Sequence, residues 1–178
     1  IARALNQRIP VPAYFLAIVI LAVPASVHVV AHYRIGIDPQ LTPSLPWRLA
    51  LIDLGDREVG RGDFVAFRAL GIAVEVEGTT IHPDGTWLMK RVVGVPGDVV
   101  RVDGSGLHVN GSLVAPGLVL AGTLGHPPAH WFREEVIPEG RVYVAGLHPQ
   151  SYDSRYFGPT AQHQILRPPR PLCCSMHA

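Results

Sequence analysis

Lysine is almost missing from this chain. Lys90 is the one lysine among fifteen basic residues, and every other basic side chain is arginine. Arginine supplies positive charge at any accessible pH but cannot act as a base, whereas a lysine stripped of water gives up its proton more readily. The plain alternative is a strand lysine that snorkels to solvent. Cysteine is scarce too. The only two, Cys173 and Cys174, are adjacent, and neighbouring Cα atoms about 3.8 Å apart fall below the usual disulfide span. The core is therefore expected to fold without a disulfide. Charged residues make up 16% of the chain, the formal net charge is +1 and there is no basic run, which argues against nucleic acid as a partner. No internal repeat is found, and no long helical period follows the first segment. Nine histidines are present, with His126 and His130 nearest to a ligand spacing, but Pro127 and Pro128 oppose the helix that would put them on one face. No metal and no cofactor is expected.

The apolar residues concentrate first at the N-terminus. Arg3 and Arg8 precede a run from Val11 to Ala31 that is broken by Pro24, Ser26 and His28. About nineteen residues at about 1.5 Å each reach roughly 28 Å, enough to cross a hydrocarbon core of about 30 Å. The charge bias leaves both arginines in the cytoplasm and sends everything after Arg34 across the bilayer. A cleaved signal peptide is the competing reading, with Ala13 to Ala22 as its apolar region and Ala22-Val23-Pro24-Ala25 as a small-residue cut site. The apolar character continues through Val27, Val29, Val30 and Ala31, which favours an anchor. The expected organisation is a cytoplasmic tip and transmembrane anchor over 1–35, an exported domain over 36–166 and a proline-rich, flexible tail over 167–178.

Behind the anchor, turn residues divide the chain into short strands. Phe64 to Phe67 follows the turn at Gly62-Asp63, and Ile72 to Glu77 alternates apolar and acidic residues. Trp87 to Val95 forms a strand ending at Pro96-Gly97-Asp98, and Val99 to Val102 resumes extended structure. Leu107 to Val114 reads as a hairpin turning at Asn110-Gly111. Arg141 to Gly146 follows the turn at Pro138-Glu139-Gly140. The fold class is mainly β. In the strand containing the lysine, a period of two puts Leu88 and Val92 on the same face as Lys90, an apolar and dehydrating setting.

Two further stretches bear on chemistry. In Leu41-Thr42-Pro43-Ser44-Leu45-Pro46, prolines on both sides hold the serine outside any regular element. Rigid presentation suits a nucleophile, and Ser44 with Lys90 would make a Ser/Lys pair. In Ser151-Tyr152-Asp153-Ser154-Arg155-Tyr156-Phe157-Gly158, extended backbone would put Ser151, Asp153 and Arg155 on one face, with the acid and the arginine able to pair. A linker serine and a surface loop are the unremarkable readings of these two stretches.

Lys90-Arg91-Val92-Val93-Gly94 with Pro96-Gly97-Asp98 resembles the lysine box of the type I signal peptidases, membrane-anchored Ser/Lys proteases that remove export signals. Gly62-Asp63 with Phe64 to Phe67 resembles the box before it, and Ser151, Asp153, Ser154, Arg155 and Gly158 match the last box. The resemblance implies a signal-peptidase-like catalytic β domain behind one transmembrane helix, in the inner membrane with the catalytic part on the periplasmic side. It implies Ser44 as the acylating nucleophile and Lys90 as the base, with Ser151 orienting the amine and Asp153 and Arg155 as a supporting pair. The Ser44 N–H and the Thr42 hydroxyl would form an oxyanion hole whose donors are typically worth about 3 to 4 kcal/mol each. The implied partners are the lipid bilayer and precursor proteins with small residues before the cut, bound as an added strand.

Two departures point to a branch of that family. Ser44-Leu45-Pro46 brings the proline one position closer to the serine than in the general family form, and Gly146-Leu147-His148-Pro149-Gln150 replaces a longer polar run. Both resemble the conjugative-transfer, TraF-type peptidases, which mature pilin precursors for type IV secretion and in some cases join the new pilin ends into a ring. A general housekeeping signal peptidase is the alternative enzyme, and an inactive structural component of a secretion machine is the alternative of another class.

Overall fold

The structure is a computed structural model that describes residues 11–37, 49–53 and 59–171. Ser44 and Thr42 lie outside the described residues, as do the N-terminal arginines and the cysteine pair. The chain divides into two units, Ile1–Tyr33 and Arg34–Ala178.

In the first unit the apolar run forms α1 (Val11–His32), with Pro24 inside it. Tyr14–His32 has a mean hydropathy of 2.3 and is long and apolar enough to cross a membrane. Two of its polar side chains are satisfied within the helix: Ser26 Oγ donates to the Ala22 carbonyl at 2.7 Å and His32 Nδ1 lies 2.9 Å from the His28 carbonyl.

The second unit is built from antiparallel strands. The large sheet runs in the order β1 (Tyr33–Ile37), β2 (Leu49–Asp53), β13 (Ile165–Pro171), β3 (Phe64–Arg68), β6 (Trp87–Gly94), β11 (Arg141–Ala145) and β12 (Thr160–Ala161). A four-stranded sheet follows the order β10 (Arg133–Val136), β7 (Val99–Asp103), β8 (Gly106–Val109) and β9 (Ser112–Pro116), and β4 (Val74–Val76) pairs with β5 (Thr79–Ile81). The mainly β class read from the sequence is therefore the observed one. A short α-helix, α2 (Ser154–Phe157), follows β11.

The two larger sheets each have a core, β4 packs against the second of these, and β6 and β11 serve both. One cluster gathers Val65, Phe67, Leu88, Val92, Val142, Val144 and Ile165. The other joins Val100, Leu107, Val109 and Ile137 to Tyr143 and the tyrosines around α2. Gly94 is packed against the second cluster, because a Cβ there would stand 2.6 Å from Ile137 Cδ1 and 3.2 Å from Tyr143 Cβ.

Local turn chemistry follows the sequence closely at the Asn-Gly hairpin. Asn110 and Gly111 take φ of 50° and 81°, and Val109 pairs with Ser112 across the turn. The tail departs from expectation. β13 continues to Pro171 and pairs with β2, past the point near Arg167 where a flexible segment was expected. Pro168 and Pro169 have no N–H for the ladder, and the register shifts between Arg167 and Arg170, so the strand passes the prolines at an irregularity instead of ending there.

Asp98 fastens three turns together. Its carboxylate accepts from the Val95 N–H at 2.8 Å, from Asn110 Nδ2 at 2.8 Å and from Arg61 Nη2 at 2.5 and 2.6 Å. Burial works to raise its pKa, but the hydrogen bonds from Val95, Asn110 and Arg61 outweigh it and hold the carboxyl below its ordinary value. Ionised Asp98 therefore stabilises the fold above the unfolded carboxyl pKa of about 3.9, and the contribution is lost as pH falls through the lower folded value. Asp98→Asn is expected to lower the melting temperature by about 3 °C at pH 7, with the gap to the parent closing in melts recorded below pH 4; a gap that stays constant with pH would show that the charge is not what matters.

Candidate active site

The site is organised by the alternation of β6. Leu88, Lys90, Val92 and Gly94 are buried, while Trp87 and Arg91 are exposed. Lys90 is flanked on one side by β3, where Val65 stands opposite it, and β11 lies on the other side of β6. The lysine is only 2% exposed, although it is the type of residue least often found inside. Its Nζ donates to Ser151 Oγ at 2.8 Å.

Ser151 is held from behind by a buried ion pair. Arg155 Nε and Nη2 each reach an Asp153 carboxylate oxygen at 2.9 Å, and the two residues are 1% and 0% exposed. The remaining N–H groups of the guanidinium go to the carbonyls of Pro116 at 2.7 Å, Gly117 at 3.1 Å and Ser151 at 3.1 Å. All five donors of the arginine are engaged. Asp153 also accepts from the Gly146 N–H at 3.0 Å, tying the end of β11 into the cluster.

The backbone here differs from the extended stretch expected for Ser151 to Arg155. Asp153 is extended but is the N-cap of α2, its side chain accepting from the Arg155 N–H at 3.1 Å, and Arg155 is already helical. The acid and the arginine meet through the first turn of a helix, since aspartate is a strong N-cap. A four-residue helix leaves no periodicity to detect. Ser154 meanwhile accepts from the Val144 N–H at 2.9 Å, next to the register shift between Tyr143 and Val144. Gly158 closes α2 with φ of 80°.

Several contributors carry no motif. Arg133 donates to Tyr143 Oη at 3.0 Å and to the Ser154 carbonyl, and Tyr143 donates to Glu135. Burial first, then the bond to Glu135, pushes the Tyr143 phenol up to about 12. A cavity of about 250 Å³ opens beside the lysine, bordered by Lys90, Ser151, His82, Tyr152, Leu120 and Leu124. A cavity of about 320 Å³ between Arg68, Arg141 and Gln164 does not include the lysine. No α-helix spans His126 to His130, yet their rings stack 4.0 Å apart, with Pro128 opening a short 3-10 turn that carries His130. Among the described residues no group of three or more histidine, cysteine or acidic side chains could hold a metal.

Residues 8–167 match the family described as signal peptidase, peptidase S26. The chain belongs to this signal peptidase family. Three relatives illustrate the range of the likeness. The probable signal peptidase I-2 of Synechocystis is 33% identical over 79 residues, which are 44% of this chain and 34% of that protein. The signal peptidase I V of Bacillus subtilis is 35% identical over 96 residues, 47% of this chain and 56% of that one. The plasmid transfer protein TraF of Escherichia coli is 28% identical over 153 residues, 80% of this chain and 85% of that one. The chain thus spans about a third and just over half of the lengths of the first two. Both signal peptidases I and a TraF protein are among the relatives of this signal peptidase family member, in keeping with the resemblance read from its boxes.

Within the cluster, Lys90, Ser151, Asp153 and Arg155 are brought together, while Ser44 and Thr42 fall in the segment that is not described. Removing the carboxylate would leave Arg155 buried and uncompensated. Asp153→Ala is expected to destabilise the folded state by about 3–5 kcal/mol, read as a lower denaturant midpoint; a change within 0.5 M of the parent midpoint would show that the pair contributes little.

Proposed function

We propose that this chain is a membrane-anchored serine endopeptidase with Ser44 as nucleophile and Lys90 as general base. The observation that carries the reading is a lysine only 2% exposed, on the buried face of β6 with Leu88 and Val92 and opposite Val65, its amine held by Ser151 Oγ at 2.8 Å. Burial is the property the chemistry requires, because an amine taken out of water is biased toward its neutral form. Arg155 and Asp153 serve by fixing the carbonyl of Ser151, so that its hydroxyl can orient the amine.

The reaction follows from those roles. Ser44 Oγ attacks the scissile carbonyl as its proton passes to Lys90 Nζ, and the Thr42 hydroxyl and Ser44 N–H receive the developing oxyanion. The protonated amine then gives its proton to the departing peptide nitrogen as the C–N bond breaks. In the second step a nucleophile attacks the serine ester, again losing a proton to Lys90. Water yields a free acid, and an amine yields a new peptide bond with the same dyad.

Substrates are exported precursors with small residues before the cut, bound as an added strand along the sheet. α1 would cross the inner membrane with Arg3 and Arg8 inside and residues 36–166 as the peptidase domain on the periplasmic side. Coverage of 85% of the E. coli TraF protein, together with the Ser44-Leu45-Pro46 spacing, supports a pilin precursor of conjugative transfer as the client. The identities of 33% and 35% to two signal peptidases I support the second reading, a general signal peptidase. Incubation with a pilin precursor and with an ordinary secretory precursor, read by mass, separates them, and a product lighter than the cut chain by one water identifies ring closure.

Ser44→Ala and Lys90→Arg are each expected to slow precursor cleavage by about 10³-fold or more. Lys90→Arg keeps the charge and removes only the ability to accept a proton, so undiminished turnover in that variant would eliminate the base assignment.

A further inference from the structure

Three ionisable side chains border the cavity beside the amine: Lys90 itself, Tyr152 and His82. The proposed chemistry uses the first and leaves the histidine without a task. His82 is held rigidly. It follows β5 with φ of 49°, a left-handed conformation that few residues other than glycine adopt, and Pro83 comes next in the chain. Its ring lies on Tyr152 with centroids 5.6 Å apart and planes at 16°, and Tyr152 is itself fixed by donating to the Ile72 carbonyl at 2.9 Å. No described residue makes a hydrogen bond to either ring nitrogen of His82. Burial pushes its imidazole below the ordinary value, as does charge on Lys90 whenever that amine carries its proton, which favours the neutral ring with one acceptor nitrogen.

The two chemical steps make different demands on this space. Ser44 is part of the chain and needs no holding, but the nucleophile of the second step arrives from solution and must stand within hydrogen-bond reach of Lys90 Nζ to lose its proton. The space bordered by that lysine, Ser151 and His82 is the cavity. We infer that His82 is a further catalytic residue, which holds the nucleophile of the second step in the cavity by accepting a hydrogen bond from it. The inference rests on the Ser44/Lys90 reading.

With water, the oxygen attacks the ester carbonyl and one proton goes to Lys90 Nζ while the other hydrogen points at His82. The bond from the carbonyl carbon to Ser44 Oγ then breaks, and the lysine returns its proton to that oxygen. A carboxylic acid and a free serine result, and His82 ends neutral as it began. An amine in the same place would lose one proton to Lys90 and keep the other as the amide N–H.

Three substitutions separate this role from a structural one. His82→Phe keeps a ring on Tyr152, His82→Gly accommodates the backbone conformation, and neither can accept a hydrogen bond. His82→Asn tolerates the left-handed backbone and keeps an acceptor. The full chain in detergent is mixed with precursor, quenched at intervals and weighed intact, so that formation and decay of the covalent adduct are timed separately, with melting curves recorded for each variant. The expected result is decay slowed about tenfold in the Phe and Gly variants, the loss of roughly one hydrogen bond, with adduct formation slowed less than twofold and Asn recovering most of the decay rate. Decay at the parent rate in both, equal slowing of the two steps, or an Asn variant no better than Phe would overturn the inference. Undiminished cleavage by Ser44→Ala in the same assay would overturn the dyad reading itself, and is a different result from any of these.

Discussion

A guanidinium with no access to water is among the least comfortable groups a fold can contain, and this fold contains one at its centre. The desolvation cost of several kcal/mol is recovered only where every N–H has a partner of good geometry. Arg155 meets that condition by using Asp153 for two donors and three backbone carbonyls for the rest. Those carbonyls come from two distant places, the end of β9 with its following turn and the residue that touches Lys90. The ion pair therefore acts as a clamp more than as a source of stability. Neither the turn at Pro116-Gly117 nor the Ser151 segment can move without stranding a buried donor, and such stranding is more costly than the bond itself is favourable.

The lysine depends on this clamp from the other side. A side chain with four rotatable bonds carries much rotamer freedom, and an apolar wall can exclude water without fixing where the amine points. β3 and β11 flank the strand and close off the sheet on either side of it. Ser151 Oγ supplies the direction. Dehydration thus comes from the alternation of one strand, and aim comes from a residue sixty-one positions away.

What could be read in the sequence divides along the same line. Local rules were sufficient for the burial of Leu88, Lys90 and Val92, for the Asn110-Gly111 hairpin and for the apolar helix, since each is decided within a few residues. The helical turn at Ser154–Phe157 was not legible, because four residues cannot display a period of 3.6, although Asp153 as a capping residue was a usable signal. Pro168 and Pro169 suggested a loose end, yet the strand accommodates them at a register shift. His82, Arg133 and Glu135 carried no local signal at all. Their placement results from pairings across the sheets and from a tyrosine seventy residues downstream of the histidine, which only the folded chain reveals.

The short helix also joins the cavity to the amine. Tyr156, the residue after the clamped arginine, accepts at its hydroxyl from the Leu120 N–H at 3.0 Å, and Leu120 borders the cavity. Tyr156 in turn stacks against Tyr152 at 5.8 Å, and Tyr152 carries His82. One turn of helix thus holds Ser151 through Arg155, the β11 irregularity through Ser154 and the cavity wall through Tyr156. A shift at Leu120 would be resisted by the same packed turn that sets Ser151 against Lys90, since close-packed elements move as units and do not deform smoothly. The shape of the space beside the lysine and the aim of the lysine are consequently one structural property, fixed by the same three residues.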